Sequence, residues 1–253
     1  MAKARRMRLD QSLVARGLTA SRNQAQALIM AGKVFAGERR LDKAGHVISE
    51  EIEITIRGAL HPWVSRGGQK LAHGLSHFSL DPSGAIALDI GASTGGFTDV
   101  LLSNGAARVY SIDVGHGQLA WKLRQDSRVI VLEKTNARNL DRSLVPDPTD
   151  FIVCDASFIG LQTVLSGALA LAASDSVLIA LIKPQFEVGR AQVGKGGVVR
   201  DSKLHHEVCN RISDWLQAIP NWSVMGITES PIMGPGGNKE FLIAARRSAY
   251  DPA

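Results

Sequence analysis

The chain has 253 residues, 45% of them apolar, enough for one large core or for a moderate core with a small appended module. Its net charge of +5 is a mild hint of an anionic partner. Two cysteines, Cys154 and Cys209, without C-x-x-C spacing exclude a disulfide framework and argue against structural zinc, so a reducing cytoplasm is the expected compartment.

The basic start "MAKARRMRLDQSLVARG" is followed by no apolar export core, and no secretory signal is expected. Nine Lys or Arg fall before residue 41 against only Asp10 and Glu38, which puts the charge where phosphate contacts would dominate nucleic-acid affinity. Leu9, Leu13 and Val14 have helical spacing and Gly17 can end that helix. Ser21 is a plausible N-cap for a second helix, with Ala25, Leu28 and Ile29 inward and Gly32 after its end. "KVFAGERRL" and "HVISEEIEITIR" alternate like short strands around a turn at Gly37. The expectation is a small α+β module over residues 1–60, a Gly/Pro-containing linker over 61–68, and a larger domain over 69–253.

In that larger domain the spacing predicts a helix over 69–78, then strands 85–91, 108–115, 128–135, 150–157 and 176–184. Helices are expected over 96–106, 118–125, 161–173 and 202–219, with two closing strands, 222–230 and 239–247, joined by the loop "PIMGPGGN". Strands alternating with helices imply an α/β fold, a mostly parallel sheet covered on both faces, and the last pair implies an antiparallel edge. The longest apolar tract is split by Ser174-Asp175-Ser176 into pieces too short to cross a bilayer, so no membrane span is expected.

In such a sheet the ligand lies at the carboxyl ends of the strands. These ends offer Asp89 and Gly91, Asp113, Asn136, Asp155, Lys183 and, near the last strand, Glu240. Gly91, Gly95 and Gly96 sit between a strand and a helix, where glycine lets backbone N–H groups approach a nucleotide. The turn spells G-A-S-T-G-G, which departs from the G-x-G-x-x-G of dinucleotide sites and weakens a reading as an NAD enzyme. Asp113, 22 residues beyond Gly91, is placed to accept ribose hydroxyls, and by itself it does not separate NAD from S-adenosylmethionine. "DFIVCD" delivers a carboxylate and "VLIALIK" an amine to one cleft. Partial burial favours the neutral form of Lys183, which can take a proton from a weakly acidic hydroxyl, with Asp155 orienting it or the incoming group.

Several features read as ordinary structure. His73 and His77 have i,i+4 spacing without a third ligand, and no metal site is expected. His205-His206 lie inside a helix, most simply at its surface, and Ser157 and Cys154 lack a histidine in the context of a nucleophile's base. "VGKGGVV" lacks the phosphate-loop pattern and reads as a mobile substrate loop.

The motifs "RLDQSLVARGLTASRNQAQALIMAGKV", "WVSRGGQKL", "LDIGASTGGFTDVLL", "DVGHGQLAWKLR", "TNAR", "KPQFEVGR" with "GKGGVVRD", and "GPGGNKEF" together resemble the TlyA family, also called haemolysin A. These are S-adenosylmethionine-dependent ribosomal RNA 2′-O-methyltransferases with an FtsJ-type catalytic domain, and the resemblance covers approximately Arg6 to Arg247. It implies a Rossmann-like sheet behind an RNA-binding domain like that of small-subunit ribosomal protein S-four. A Lys-Asp-Lys-Glu tetrad falls on Lys70, Asp155, Lys183 and Glu240. In that family the central lysine, here Lys183, is the base, Asp155 and Lys70 position and polarise the reacting groups, and Glu240 holds a lysine. The cofactor S-adenosylmethionine is expected on Asp89, Gly91, Ser93, Thr94, Gly95, Gly96, Phe97 and Asp113, with Asn136 and Ala137 near the adenine. Arg5, Arg6, Arg22, Lys33 and Arg66 are the expected RNA contacts. The substrate implied is a cytidine in the RNA of ribosomal subunits. Shorter family members act on the large subunit alone, whereas the start "MAKARRMRLD" looks like the longer form, which acts on both. Two other readings are a membrane-active haemolysin, opposed by the missing export signal and span, and an RNA-binding factor with an inactive methyltransferase fold, opposed by the intact tetrad.

Overall fold

Leu9 and Leu13, one helical turn apart, are both fully buried, and around them forms the core of the first of two units. The computed structural model describes residues 6–19, 21–57 and 61–248. The chain divides into Met1–Leu60 and His61–Ala253.

The first unit contains β1 (Arg6–Arg8), α1 (Leu9–Ala15), α2 (Arg22–Met30), β2 (Val34–Ala36), β3 (Arg39–Arg40), β4 (Val47–Ser49) and β5 (Thr55–Ile56). Ser21 caps α2, its hydroxyl accepting the Gln24 N–H at 3.3 Å. Ala25, Leu28 and Ile29 of α2 pack on Leu9 and Leu13 with Val34, Leu41, Ile48 and Ile54. The alternating stretch 46–57 is two strands rather than one, because residues 50–53 are exposed and turn the chain. β4 pairs with β1, whereas β5 joins β2 and β3 in a separate sheet.

The second unit comprises α3 (Gly67–His77), β6 (Ile86–Ile90), α4 (Gly96–Ser103), β7 (Arg108–Ile112), α5 (Trp121–Arg124), β8 (Val129–Leu132), β9 (Thr149–Cys154), α6 (Leu161–Val164), α7 (Ser166–Leu171), β10 (Ala172–Ile182), α8 (Pro184–Glu187), α9 (Ser202–Gln217), β11 (Trp222–Glu229) and β12 (Phe241–Arg247). The seven strands lie in the order β11-β12-β10-β9-β6-β7-β8, and β12 runs antiparallel to both of its neighbours. Successive strand residues face opposite sides. Ala87, Val153 and Ile179 pack with Leu71 of α3 and Val100 and Leu101 of α4, while Leu88, Ile90 and Leu178 pack with Leu161, Ala168 and Ile212 on the other face. Apolar residues on both faces explain why the strands read as continuous apolar runs.

The order of the sheet reverses between β6 and β9, a switch point at whose carboxyl side such sheets hold their ligands. Three local departures from the sequence expectation have physical reasons. Residues 61–68, expected as a linker, belong to the second unit: Trp63 packs on the core containing Leu71, the Val64 N–H donates to Asp99 Oδ2 at 2.8 Å, and Gly67 already starts α3. The helix expected over 161–173 breaks into α6 and α7, and β10 starts at Ala172, which pairs with Thr149 of β9. The helix expected over 118–125 is the single turn of α5.

Candidate active site

Gly91 follows β6 at φ 79°, a left-handed conformation open to glycine, and a methyl group there would come within 2.9 Å of the Ala156 backbone. The turn from β6 and the loop from β9 therefore touch, main chain against main chain. α4 starts at Gly96, preceded by Gly95 at φ 94°. Asp113, at the end of β7, shapes this turn: its Oδ2 accepts the Ser93 N–H at 2.8 Å and its Oδ1 the Gly115 N–H at 2.7 Å.

Two adjoining clefts open at the switch point and share Gly91, Ser93, Asp155 and Ser157. The larger, about 410 Å³, is lined by Asp113 and Asn136 together with Val114, Gln118, Ile159 and Val164. The smaller, about 240 Å³, is lined by Lys70, Lys183, Arg66, Thr94, Gly96 and Phe97. Asp155 lies on the wall common to both.

Asp155 stands between two buried lysines. Lys183 Nζ lies 2.6 Å from Asp155 Oδ1 in an ion pair and donates to Ser157 Oγ at 2.9 Å and to the Asp155 carbonyl at 3.1 Å. Lys70 Nζ, reaching in from α3, lies 3.5 Å from Asp155 Oδ2 and donates to Glu240 Oε2 at 2.6 Å. Glu240 is 1% exposed. It fits because residue 234 is glycine, where a methyl group would overlap the carboxylate. The burial expected for Lys183 is present, and with it come two hydrogen-bond acceptors, Ser157 Oγ and the Asp155 carbonyl, and the charge of the Asp155 carboxylate.

The structure thus gathers Lys70, Asp155, Lys183 and Glu240 into one centre, beside Gly91, Ser93, Thr94, Gly96, Phe97, Asp113 and Asn136. Two residues expected at the cofactor lie off the clefts. Gly95 faces the side chains of Leu119 and Leu123. Asp89 is fully buried beneath the turn, its Oδ2 accepting the N–H of Thr98 at 2.8 Å and its hydroxyl at 2.6 Å, so it anchors α4. Burial pushes its carboxyl up to about 7, against the lowering effect of the Thr98 bonds. Burial likewise pushes the Cys154 thiol up to about 12, which leaves it without nucleophilic character.

Arg66 is exposed at the smaller cleft. In the first unit Arg6 is exposed, Lys33 is half-buried, and Arg22 is 53% exposed while bonding to Asp10; Arg5 lies outside the described residues. Sequence reasoning missed Gln118, whose Oε1 accepts the Ser93 hydroxyl at 3.3 Å, and Val114, 72% exposed on the larger cleft. It considered Ser157 only as a nucleophile, and here the hydroxyl is a partner of Lys183. Phe158 was missed too, an aromatic ring open to solvent at the cleft edge. The signal for Val114 and Phe158 was available: each is a large apolar side chain one to three residues past a strand-end aspartate.

Among the described residues no group of three His, Cys, Asp or Glu could hold a metal ion, and no helix is long and apolar enough to cross a membrane.

This fold and its crevice are those of a Rossmann-like methyltransferase: residues 63–247 match the FtsJ-like methyltransferase family, and residues 7–54 match the S4 domain. The chain is 46% identical, over 96% of its length and 91% of the relative's, to "16S/23S rRNA (cytidine-2′-O)-methyltransferase TlyA" of Mycobacterium tuberculosis. It is 39% identical, over 93% of its length and 98% of the relative's, to "Hemolysin A" of Brachyspira hyodysenteriae. A solved structure of a candidate hemolysin from Streptococcus thermophilus superposes with a TM-score of 0.76 at 40% identity, covering 97% of this chain and 90% of that one. The chain belongs to the FtsJ-like methyltransferase family, in the branch that holds TlyA and hemolysin A.

Proposed function

We propose that the chain transfers the methyl group of S-adenosylmethionine to the ribose 2′-hydroxyl of a cytidine in ribosomal RNA. The observation that carries this reading is the Lys70–Asp155–Lys183–Glu240 centre on the wall shared by the two clefts. The larger cleft fits the cofactor: its volume lies in the range of small-molecule sites. Gly91 lets the main chain approach a ligand closely, Val114, Ile159 and Val164 offer apolar surface for a purine, and each Asp113 oxygen keeps a lone pair for a ribose hydroxyl. When bound there, S-adenosylmethionine supplies a methyl group made electrophilic by its sulfonium.

The chain's own residues do the rest by placement. Alignment of oxygen, methyl carbon and sulfur supplies up to ~7–11 kcal/mol of the barrier in favourable cases. Attack of the 2′-oxygen on that methyl group, with the thioether as leaving group, would make the hydroxyl proton strongly acidic, and the chain's part is to remove it. Lys183, which enters the step as the neutral amine after giving its own proton to solvent, takes it at Nζ. The ammonium so formed donates to Ser157 Oγ and the Asp155 carbonyl, and the Asp155 carboxylate beside it stabilises its charge. Lys70 steadies Asp155 from the other side, and Glu240 steadies Lys70. In the S4 domain the arginines bind RNA backbone, while the choice of nucleotide depends on RNA shape and on a base splayed out of its stack.

The relative from Mycobacterium tuberculosis is named for both 16S and 23S RNA, which supports both subunits as substrates and a cytoplasmic site of action. The test is incubation with methyl-labelled S-adenosylmethionine and 30S or 50S subunits lacking the modification, with the labelled nucleotide mapped. Label on a cytidine ribose supports the reading. No incorporation into either subunit, or label on a base, contradicts it.

A further inference from the structure

The segment Lys183–Glu187 gives Lys183 to the centre, and its last residue, Glu187, plays no part there. The Glu187 side chain is nonetheless buried, 5% exposed, at the far end of the same short helix, α8. Its Oε1 accepts the Leu161 N–H at 2.7 Å. Arg211 of α9 donates to the Glu187 carbonyl at 2.8 Å and lies 3.5 Å from Oε2. Burial raises the Glu187 carboxyl above its ordinary range, with the Leu161 N–H and Arg211 acting against that rise.

Leu161 closes the loop that begins at Asp155. The loop is therefore tied at both ends to the segment Lys183–Glu187: Lys183 holds Asp155 and Ser157, and Glu187 holds Leu161. Between the two ties lies Phe158, 89% exposed with φ 65°. A bulky residue in the left-handed region is strained and persists only where its surroundings over-determine the backbone. Its ring stands 4.9 Å from that of Phe186, a residue of α8 as well.

We propose that Glu187 is a positioning residue for methyl transfer: by accepting the Leu161 N–H it fixes the 155–161 loop, and through it the Asp155–Ser157 wall common to both clefts. The proposal rests on the reading of those clefts as the methyl-transfer site. Glu187 itself touches no reacting atom.

The experiment compares Glu187→Ala, which removes the acceptor, with Glu187→Gln, which keeps an amide oxygen, in the full chain at a temperature where circular dichroism shows each folded. In Glu187→Ala the Leu161 amide exchanges faster with solvent, kcat falls about tenfold and the Kd for S-adenosylmethionine rises about tenfold, displacement of a positioned wall being costly to transfer. In Glu187→Gln all three return to within about twofold of the parent. Should Glu187→Ala fail to fold, Glu187→Met keeps the volume without the acceptor and takes its place. Parental kcat and Kd in the folded variant without the acceptor overturn the proposal, and so does a Gln variant as impaired as Ala. A parent chain that binds the cofactor and methylates no ribosomal RNA overturns the functional reading instead, leaving amide exchange and cofactor binding to decide the tie.

Discussion

Among the described residues each unit buries one aspartate completely, and the two are treated in opposite ways. Asp10 of the first unit accepts from Arg8, Arg22 and Gln26, all at 3.2 Å or less. The Arg8 guanidinium, joined by Arg22 and Gln26, holds its carboxyl well below the usual range in spite of burial. Asp89 of the second unit has only the N–H and hydroxyl of Thr98, leaves Oδ1 without a partner, and is pushed up to about 7. Burial alone does not set the charge of a carboxylate; what burial puts beside it does. Cations follow the same division. Arg8 and Arg22 share Asp10 yet keep about half of their side-chain surface in solvent, free to meet phosphate, whereas Lys70 and Lys183 are committed to carboxylates inside the fold. The two cations on Asp10 are thus displayed, and the two on Asp155 enclosed.

The comparison can be broken most forcefully at the enclosed charges. Asp155→Asn removes the anion between the two lysines, and the expected loss in kcat for transfer to ribosomal RNA is about a thousandfold, of the size seen when a proton-transfer group is lost. Binding of RNA by the same variant stays at the parental level, because the displayed arginines are untouched. A parallel drop in RNA affinity would mean that the two kinds of charge are not separate.

Next in size is Asp10→Asn, which weakens hydrogen bonds from two guanidinium groups and destabilises the first unit by ~2 kcal/mol at neutral pH. Because the folded carboxyl is held below its unfolded value, the stability it contributes is present above about pH 4 and is lost as the pH falls below that. The opposite holds for Asp89. Its folded value lies above the unfolded one, so the folded second unit prefers the protonated form, and stability is lost as the pH rises from about 4 through about 7. Asp89→Asn removes this pH-dependent penalty, so its stabilising effect on the second unit is expected to be larger at pH 8 than at pH 5 by ~2 kcal/mol. Amide exchange resolved by unit measures both, and a common pH response in the two units would contradict the contrast.

The smallest effect belongs to Arg22→Ala. One displayed cation fewer lowers the salt dependence of RNA binding by about one in the log–log slope, with kcat at saturating RNA unchanged.

Strand-end chemistry was readable along the chain because an apolar strand that ends in a charge must aim it at an edge: Asp155 and Lys183 are of this kind, and Glu240 just before β12 is close to it. Lys70 was not readable by pattern and entered through family resemblance. It lies on a helix 170 residues from its partner Glu240, a pairing that only the folded sheet brings about. The place of Asp89 was legible in its periodicity, since Leu88 and Ile90 share one face of β6 and leave Asp89 to the α4 face, under the turn rather than in it. The two-strand break at residues 50–53 and the split of 161–173 escaped for the opposite reason, as turn geometry set by distant packing overrode smooth local patterns. Arg8 was counted among the basic residues, but its bond to Asp10 and the company of Arg22 required the first unit to fold.

The central claim is that Lys183, held by Asp155 and Ser157, receives the proton of the ribose hydroxyl. Its most direct test is single-turnover methyl transfer to unmodified ribosomal subunits by the parent chain and by Lys183→Ala, each saturated with S-adenosylmethionine and with RNA. The account predicts 2′-O-methylcytidine from the parent, and a rate about a thousandfold lower from the variant with cofactor and RNA affinities preserved. Lys183→Ala that transfers methyl at the parental rate would contradict it.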